Sequence, residues 1–280
     1  MKCCFIVQYY GDLPVWFPLF LKSCEYNKEI DWLFFVDREF VGYKPSNVKF
    51  HLQPPTEFQK LCKNKLGHEV ELLCYKGRKG KKLGYYKLCD FRPMYGLMFE
   101  DFLEEYDFWG WCDVDMVFGN VSSYINQLPN DLECISFADE PYPLPYGPCT
   151  MIKNNEKLNN LFQQSCDISD ILTLQKHFHF DEDWTNDVDS IGHVMRRENI
   201  KYHRKNVGDD DGKNRGRDKR FGVRHNWIIN WSNGKLFHRR REIMFFHFGQ
   251  TKQWVQSDLN FVDVWSNDNY WFNYETLTME

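Results

Sequence analysis

The sequence predicts an α/β fold in which parallel strands are covered by helices on both faces of the sheet. Three observations predict it. The first forty residues read as strand, helix and strand, a βαβ unit that requires a parallel pair. Short apolar runs then alternate with segments of helical spacing along most of the chain. At 280 residues with 42% hydrophobic content, the chain can bury a substantial core, and a single domain is the simplest arrangement.

The elements follow in order. "KCCFIVQYY" is a compact apolar strand ended by Gly11-Asp12. "VWFPLFLKSCEYN" has helical spacing and closes on Asn27. "IDWLFFVDR" is a second buried strand ending in Asp37, and "SNVKFHLQ" a weaker third. "TEFQKLCKNKLG" reads as a short helix stopped by Gly67. "YKGRKGKKLGYYK", Tyr75 to Lys87, is glycine-rich and basic and reads as a loop. "LCDFRPMYGLMFEDFLEEY" resumes helical spacing, and "FWGWCDVDMVFGN", Phe108 to Asn120, is an aromatic strand that ends in two carboxylates. "LECISFADE" is another strand, while "KLNNLFQQSCDISDILTLQKHF" and "SIGHVMRREN" read as helices. "DEPYPLPYGPCTMIKNN" reads as a shaped loop and "GDDDGKNRGRDKRFG" as a polar one.

Composition excludes several function classes. A net charge of −5 argues against a non-specific nucleic-acid binder. No stretch approaches the ~18 apolar residues of a membrane span, and the amino terminus lacks a signal-peptide junction, so a soluble cytoplasmic protein is expected. The 10 cysteines include no CxxC pair, which argues for reduced thiols rather than a zinc or disulfide framework. Aromatic residues reach 18%, enough for stacking surfaces as well as core.

Chemistry concentrates at Asp113 and Asp115. In a strand, alternate side chains share a face, so these two carboxylates point together with Val114 opposite. Held together they repel, and burial is costly unless a cation or donors lie between them. At the carboxyl end of a strand in an open α/β sheet, the natural occupant is an oxygen-ligated divalent ion with positions left for phosphate oxygens. A turn cap at Asp115 with Asp113 paired to a basic residue is the structural alternative.

The stretch "YYKLCDFRPMYGLMFEDFLEEYDFWGWCDVDMVFGNV", with the amino-terminal strand–helix–strand, resembles nucleotide-sugar glycosyltransferases of the GT-A type. The likeness is to small members from bacterial surface-polysaccharide systems and large algal viruses, and covers roughly the first 155 residues. It implies a Rossmann-like mixed sheet with flanking helices in one domain, residues 1–120 forming the donor half and 121–280 the acceptor-binding and catalytic half. It implies Mn²⁺ or Mg²⁺ on Asp113 and Asp115, with His247 in "IMFFHFGQTKQW" completing the metal site and Lys252 beside the leaving diphosphate. By the same resemblance Tyr9, Tyr10, Gly11 and Asp37 meet base and ribose, Val114 lines the donor site, and Lys87, Asp90 and Arg92 lie beside the donor. A helix-start ion pair is the alternative for Lys87 and Arg92.

In "FHFDEDWTND", the "EDW" element resembles the one that supplies an acceptor base in inverting enzymes. That makes Asp183 the base, Glu182 an acceptor partner and Asp181 their neighbour; an acidic helix N-terminus fits the cluster equally. Asp139 and Glu140 are acceptor-side by the same likeness. The expected reaction moves a pentose or hexose from UDP-xylose, UDP-galactose or UDP-glucose to a hydroxyl of a glycan or glycoprotein, with inversion slightly favoured. The competing readings are a non-catalytic carbohydrate-binding protein and a metal-dependent nucleotidyltransferase or phosphohydrolase.

Overall fold

The computed structural model describes residues 1–72, 75–76, 82–138, 143–183, 186–205, 207–210, 229–238, 240–249, 268–272 and 277–279. Strand β1 (Cys3–Tyr9) leads through helix α1 (Phe17–Glu25) to β2 (Ile30–Val36), as the βαβ pattern requires. β3 (Val48–Leu52) and α2 (Pro55–Leu66) follow, and α2 stops at Gly67, whose φ of 75° is the left-handed cap that glycine favours. β1 sends Phe5 and Val7 to the face covered by Phe17 and Phe20 of α1. Cys4 and Ile6 go to the face covered by Phe58 and Cys62 of α2. The sheet is thus buried on both sides, which is why its strands read as near-continuous apolar runs.

The next region departs from the sequence reading. The segment from Tyr75, expected as a loop, pairs β4 (Tyr75–Lys76) with β5 (Lys82–Gly84) antiparallel. The helical stretch after it is mostly 3₁₀, spanning Tyr86–Met94 and Glu100–Phe102 around a short α3 (Tyr95–Met98). Pro93 lies inside the first of these and has no N–H for a longer α-helical ladder.

β6 (Phe108–Cys112) then ends, and β7 (Met116–Phe118) belongs to a different sheet. Asp113 to Asp115 therefore form a bend between two strands instead of continuing one. After α4 (Val121–Ile125) and β8 (Cys134–Ser136) comes β9 (Cys149–Lys153), a strand hidden in the segment read as a loop. The long helical stretch breaks into α5 (Glu156–Asn159), a 3₁₀ turn and α6 (Ile168–Thr173), and α7 (Ile191–Arg197) starts on a Ser190 side-chain cap.

β10 (Tyr202–Arg204) completes a seven-stranded sheet of order β10-β8-β9-β6-β1-β2-β3, in which β9 is antiparallel to β6 and β8. The fold is thus α/β with a mixed sheet and flanking helices. β11 (Asp209–Asp210) joins a small sheet with β7 and a later strand. The last sheet was not legible in advance. It contains β12 (Ile229–Ser232), β13 (Lys235–His238) and β14 (Arg241–Ile243), and is extended by β16 (Asn269–Phe272) and β17 (Leu277–Met279) after β15 (Phe245–His247) has paired with β7. Trp231, Leu236 and Ile243 pack it against Trp16 and Leu19 of the α1 region.

Much of the aromatic excess is core: Trp32, Trp109, Trp111 and Trp231 are among the largest fully buried side chains. The described cysteines are free thiols, most of them buried. No helix among the described residues is long and apolar enough to cross a membrane.

Candidate metal centre at the sheet crevice

β2 and β3 lie on one side of β1 and β6 lies on the other, so connections leaving β1 and β6 diverge at their carboxyl ends. Open α/β sheets place their ligand crevice outside such a switch in strand order. A cleft of ≈ 440 Å³ lies there, lined by Tyr9 and Tyr10 from the end of β1, Arg92 from the 3₁₀ helix, and Asp113, Val114 and Asp115 from the bend after β6. Tyr10 and Tyr85 meet edge to face in its wall, with ring centroids 5.5 Å apart.

Three hydrogen bonds, two from backbone amides and one from an indole, fix the bend residue by residue. Asp113 N donates to Pro148 O at 2.9 Å, Trp16 Nε1 donates to Val114 O at 3.0 Å, and Phe248 N donates to Asp115 O at 2.9 Å. The last of these follows from the register of β15 on β7, which sets His247 opposite Met116. Asp113, Asp115 and His247 thereby bring one ligand atom each to within 4.8 Å of one another. His247 Nε2 stands 3.5 Å from Asp115 Oδ1 and 3.8 Å from Asp113 Oδ2. Asp115 and His247 are buried, and Asp113 opens toward the cleft. The hydroxyl of Tyr146 lies 3.5 Å from His247 Nδ1, the position from which a neighbour orients a ligating imidazole. Two carboxylates and an imidazole within this span fit Mn²⁺ well, and Mg²⁺ less well because it prefers an oxygen-only shell.

Arg92 ties this centre to the acidic segment. One guanidinium nitrogen bonds Asp113 Oδ1, and the other donates to Asp181 Oδ2 and to Gly147 O, both at 2.9 Å. Asp181 is 2% exposed, and burial pushes its carboxyl well above the usual carboxylate range. Asp183 is held from two sides, by Arg196 Nη1 on one oxygen and by His193 Nε2 at 3.0 Å from the other. Glu182 contacts His179 Nδ1 at 3.4 Å and rests against Gly147, where a Cβ would lie 2.2 Å from its Oε2. A side chain at position 147 would displace the end of the Glu182 side chain.

Other expected site residues fall elsewhere. Gly11 and Asp37 line a smaller adjoining pocket of ≈ 150 Å³, where Gly11 N donates to Asp37 Oδ1 at 3.1 Å with the glycine at φ 112°. Lys87 and Asp90, expected beside the donor, are wholly buried and pair with each other at 3.0 Å. Their place is under the cleft, because on a 3₁₀ helix residues three apart share a face. Positions 87 and 90 turn inward, while Cys89 and Arg92 line the cleft. Asp90, His177 and Asp181 also bring ligand atoms within 4.8 Å, but both Asp90 oxygens already accept hydrogen bonds from Lys87, Phe178 and Phe180. Lys252, Asp139, Glu140 and Trp184 of the "EDW" element lie outside the described residues. Trp16 carried no signal in sequence, and Tyr146 and Gly147 only that of a shaped loop, since each matters through a partner more than 35 residues away.

Fold and site together define a class: a mixed α/β domain with a carboxylate–imidazole centre at the switch-point crevice of its sheet. The chain belongs to the family described as "Family of unknown function (DUF6625)", whose model matches residues 5–274. No curated protein matches the sequence. Among solved structures, the chain is similar to the apo-form glycosyltransferase GlyE of Streptococcus pneumoniae TIGR4, with 12% identity over 72% of this chain and 45% of that one, at a TM-score of 0.36. It spans less than half of that chain, a likeness too slight to assign fold or activity.

Proposed function

We propose that the protein is a metal-dependent glycosyltransferase that moves a monosaccharide from a UDP-sugar to a hydroxyl of an acceptor glycan. The observation that carries this reading is the meeting of Asp113, Asp115 and His247 at the crevice where an open α/β sheet takes its ligand. Asp113, Asp115 and His247 would hold Mn²⁺, or Mg²⁺. When bound there, a divalent ion would supply positive charge against the charge that develops on a leaving diphosphate. Tyr9, Tyr10 and Val114 would line the nucleotide end of the cleft, with Gly11 and Asp37 beyond, and Arg92 would order the donor side through Asp113. Residues 1–120 then form the donor half and 121–280 bring His247 and the acceptor side. A two-metal phosphate chemistry is disfavoured because the nearby third carboxylate, Asp181, is held off Asp113 by Arg92.

For the acceptor base, the ion pairs move the choice from Asp183 to Glu182. Asp183 is tied to Arg196 and His193, and Asp181 is buried on Arg92, whereas the Glu182 carboxylate meets His179 at 3.4 Å and keeps 17% exposure beside Gly147. A carboxylate base here suits inversion, with UDP-xylose, UDP-galactose and UDP-glucose the donors to try first.

Thermal unfolding with UDP, GDP and CMP, each with and without Mn²⁺, tests the reading. UDP should stabilise only with metal present, by about 2.7 kcal/mol at a hundredfold excess over Kd. Asp113→Asn and Asp115→Asn should abolish that gain. No shift with any nucleotide in the wild type would return the protein to a metal-independent binding role. Glu182→Gln should keep the UDP–Mn²⁺ shift and lose sugar transfer by roughly a hundredfold or more; equal turnover in that variant would remove Glu182 from the chemistry.

A further inference from the structure

Lys87 and Asp90 sit one 3₁₀ turn apart without exposed surface. Lys87 Nζ donates to Asp90 Oδ2 at 3.0 Å and to Ile171 O at 2.5 Å, and lies 4.8 Å over the Phe178 ring. Asp90 also takes two backbone amides from a segment distant in sequence. Phe178 N lies 2.9 Å from Oδ2 and 3.1 Å from Oδ1, and Phe180 N lies 3.0 Å from Oδ1. These amides flank His179, a non-glycine residue at φ 59°. Such a backbone persists only where its surroundings over-determine it, and here one buried carboxylate supplies the bonds on both sides. The next residues are Asp181 and Glu182, the first bound to Arg92 and the second seated on Gly147. A single short helix therefore addresses both sides of the site. Its inward face holds the 178–180 turn through Asp90, and its cleft face holds Asp113 through Arg92.

We propose that Asp90, with Lys87 as its counter-ion, is a positioning residue: it sets the 178–180 turn that seats Glu182 beside Gly147, whose carbonyl Arg92 binds, and touches neither donor nor acceptor. The proposal rests on the transferase reading for its consequence in turnover, but the geometry it asserts is open to measurement without any activity. His179 provides that measurement. Its hydrogen bond to Glu182 holds the imidazole above its ordinary range; Asp90 adds to this, burial opposes it, and the His177 ring lies tilted with its centroid 4.0 Å away.

The test compares the wild-type protein with the double variant Lys87→Met/Asp90→Asn, which removes both charges and so leaves the local net charge unchanged. Two readouts are taken: steady-state hydrolysis or transfer of UDP-glucose, UDP-galactose and UDP-xylose with Mn²⁺, and an NMR pH titration of the His179 ring. The expected result is a roughly tenfold to hundredfold fall in kcat with KM and Mn²⁺–UDP affinity within about twofold, the signature of misplacement without lost binding. His179 should meanwhile titrate closer to an ordinary histidine as Glu182 leaves it. Wild-type turnover in the variant, or an unmoved His179 titration, overturns the proposal. If the wild type itself neither binds Mn²⁺–UDP nor turns over a UDP-sugar, the transferase reading falls, and the His179 titration in Asp90→Glu, which keeps the charge that acts on His179 directly, still decides whether Asp90 sets the turn. Should the double variant not fold, Asp90→Glu keeps the charge beside Lys87 and lengthens the side chain by one methylene, and the same readouts apply.

Discussion

Lys87 with Asp90 and Asp113 with Asp115 are two sets of charges only about two dozen positions apart, and the fold compensates them in different ways. The first is a neutral pair with no exposed surface, its carboxylate filled by an ammonium and two backbone amides. In the second, two carboxylates converge on one imidazole at the edge of a cleft, and the guanidinium beside them is shared with Asp181. Burial of a charge is thus not by itself a mark of function. The closed pair organises backbone, whereas the converging set brings three ligand atoms to within 4.8 Å of one another at the edge of the cleft.

The comparison is broken most directly at the closed pair. Lys87→Met alone strands the Asp90 carboxylate in the interior, and should cost about 3–5 kcal/mol in urea unfolding. The double variant Lys87→Met/Asp90→Asn should recover part of that loss. A single variant as stable as wild type would mean that water or another cation already serves Asp90.

A smaller effect comes from His177, whose Nε2 lies 3.6 Å from Asp90 Oδ1. Burial holds this imidazole at about 4, below the ordinary 6.5. Because the folded value is depressed, the unfolded chain binds the extra proton. His177 therefore supports the fold fully above pH 6.5 and loses that support as pH falls toward 4, by about 3 kcal/mol over the window. Asp181, pushed up by burial, acts in the opposite sense, so the readout is a difference. The loss of stability between pH 6.5 and 4 should be smaller in His177→Gln than in wild type, measured by denaturant titration at each pH. Parallel curves would reject the assignment.

The smallest effect sharpens the contrast from the functional side. Arg196 is 43% exposed where it meets Asp183, so Arg196→Ala should cost less than about 1 kcal/mol and leave the UDP–Mn²⁺ thermal shift intact. A loss of that shift would couple Asp183 to the donor site rather than to the acceptor side.

Several features were legible in the sequence because their causes are local. β1, α1 and β2 follow from apolar periodicity within windows of ten residues, and the Gly67 stop follows from a left-handed cap. Asp113 and Asp115 were legible as a pair because their spacing and the aromatic run before them are contiguous. The alternation argument gave the right convergence for a different geometry, since the two sit on a bend rather than in a strand. β9 was not legible inside a proline-rich segment, and neither was the five-stranded sheet, whose strands are short and recruited by pairing partners.

The sequence by itself determined the core periodicity of the βαβ start and the presence of paired carboxylates after an aromatic strand. Only the tertiary structure decided which charges face the cleft. It turned Lys87 and Asp90 inward and Arg92 outward on one 3₁₀ helix, and it carried His247 from 132 positions beyond Asp115 to within 3.5 Å of it. The physical reason is range. Side-chain periodicity acts over a few residues along the chain, whereas the compensation of a buried charge depends on whatever the fold brings within about 4 Å of it, regardless of separation in sequence.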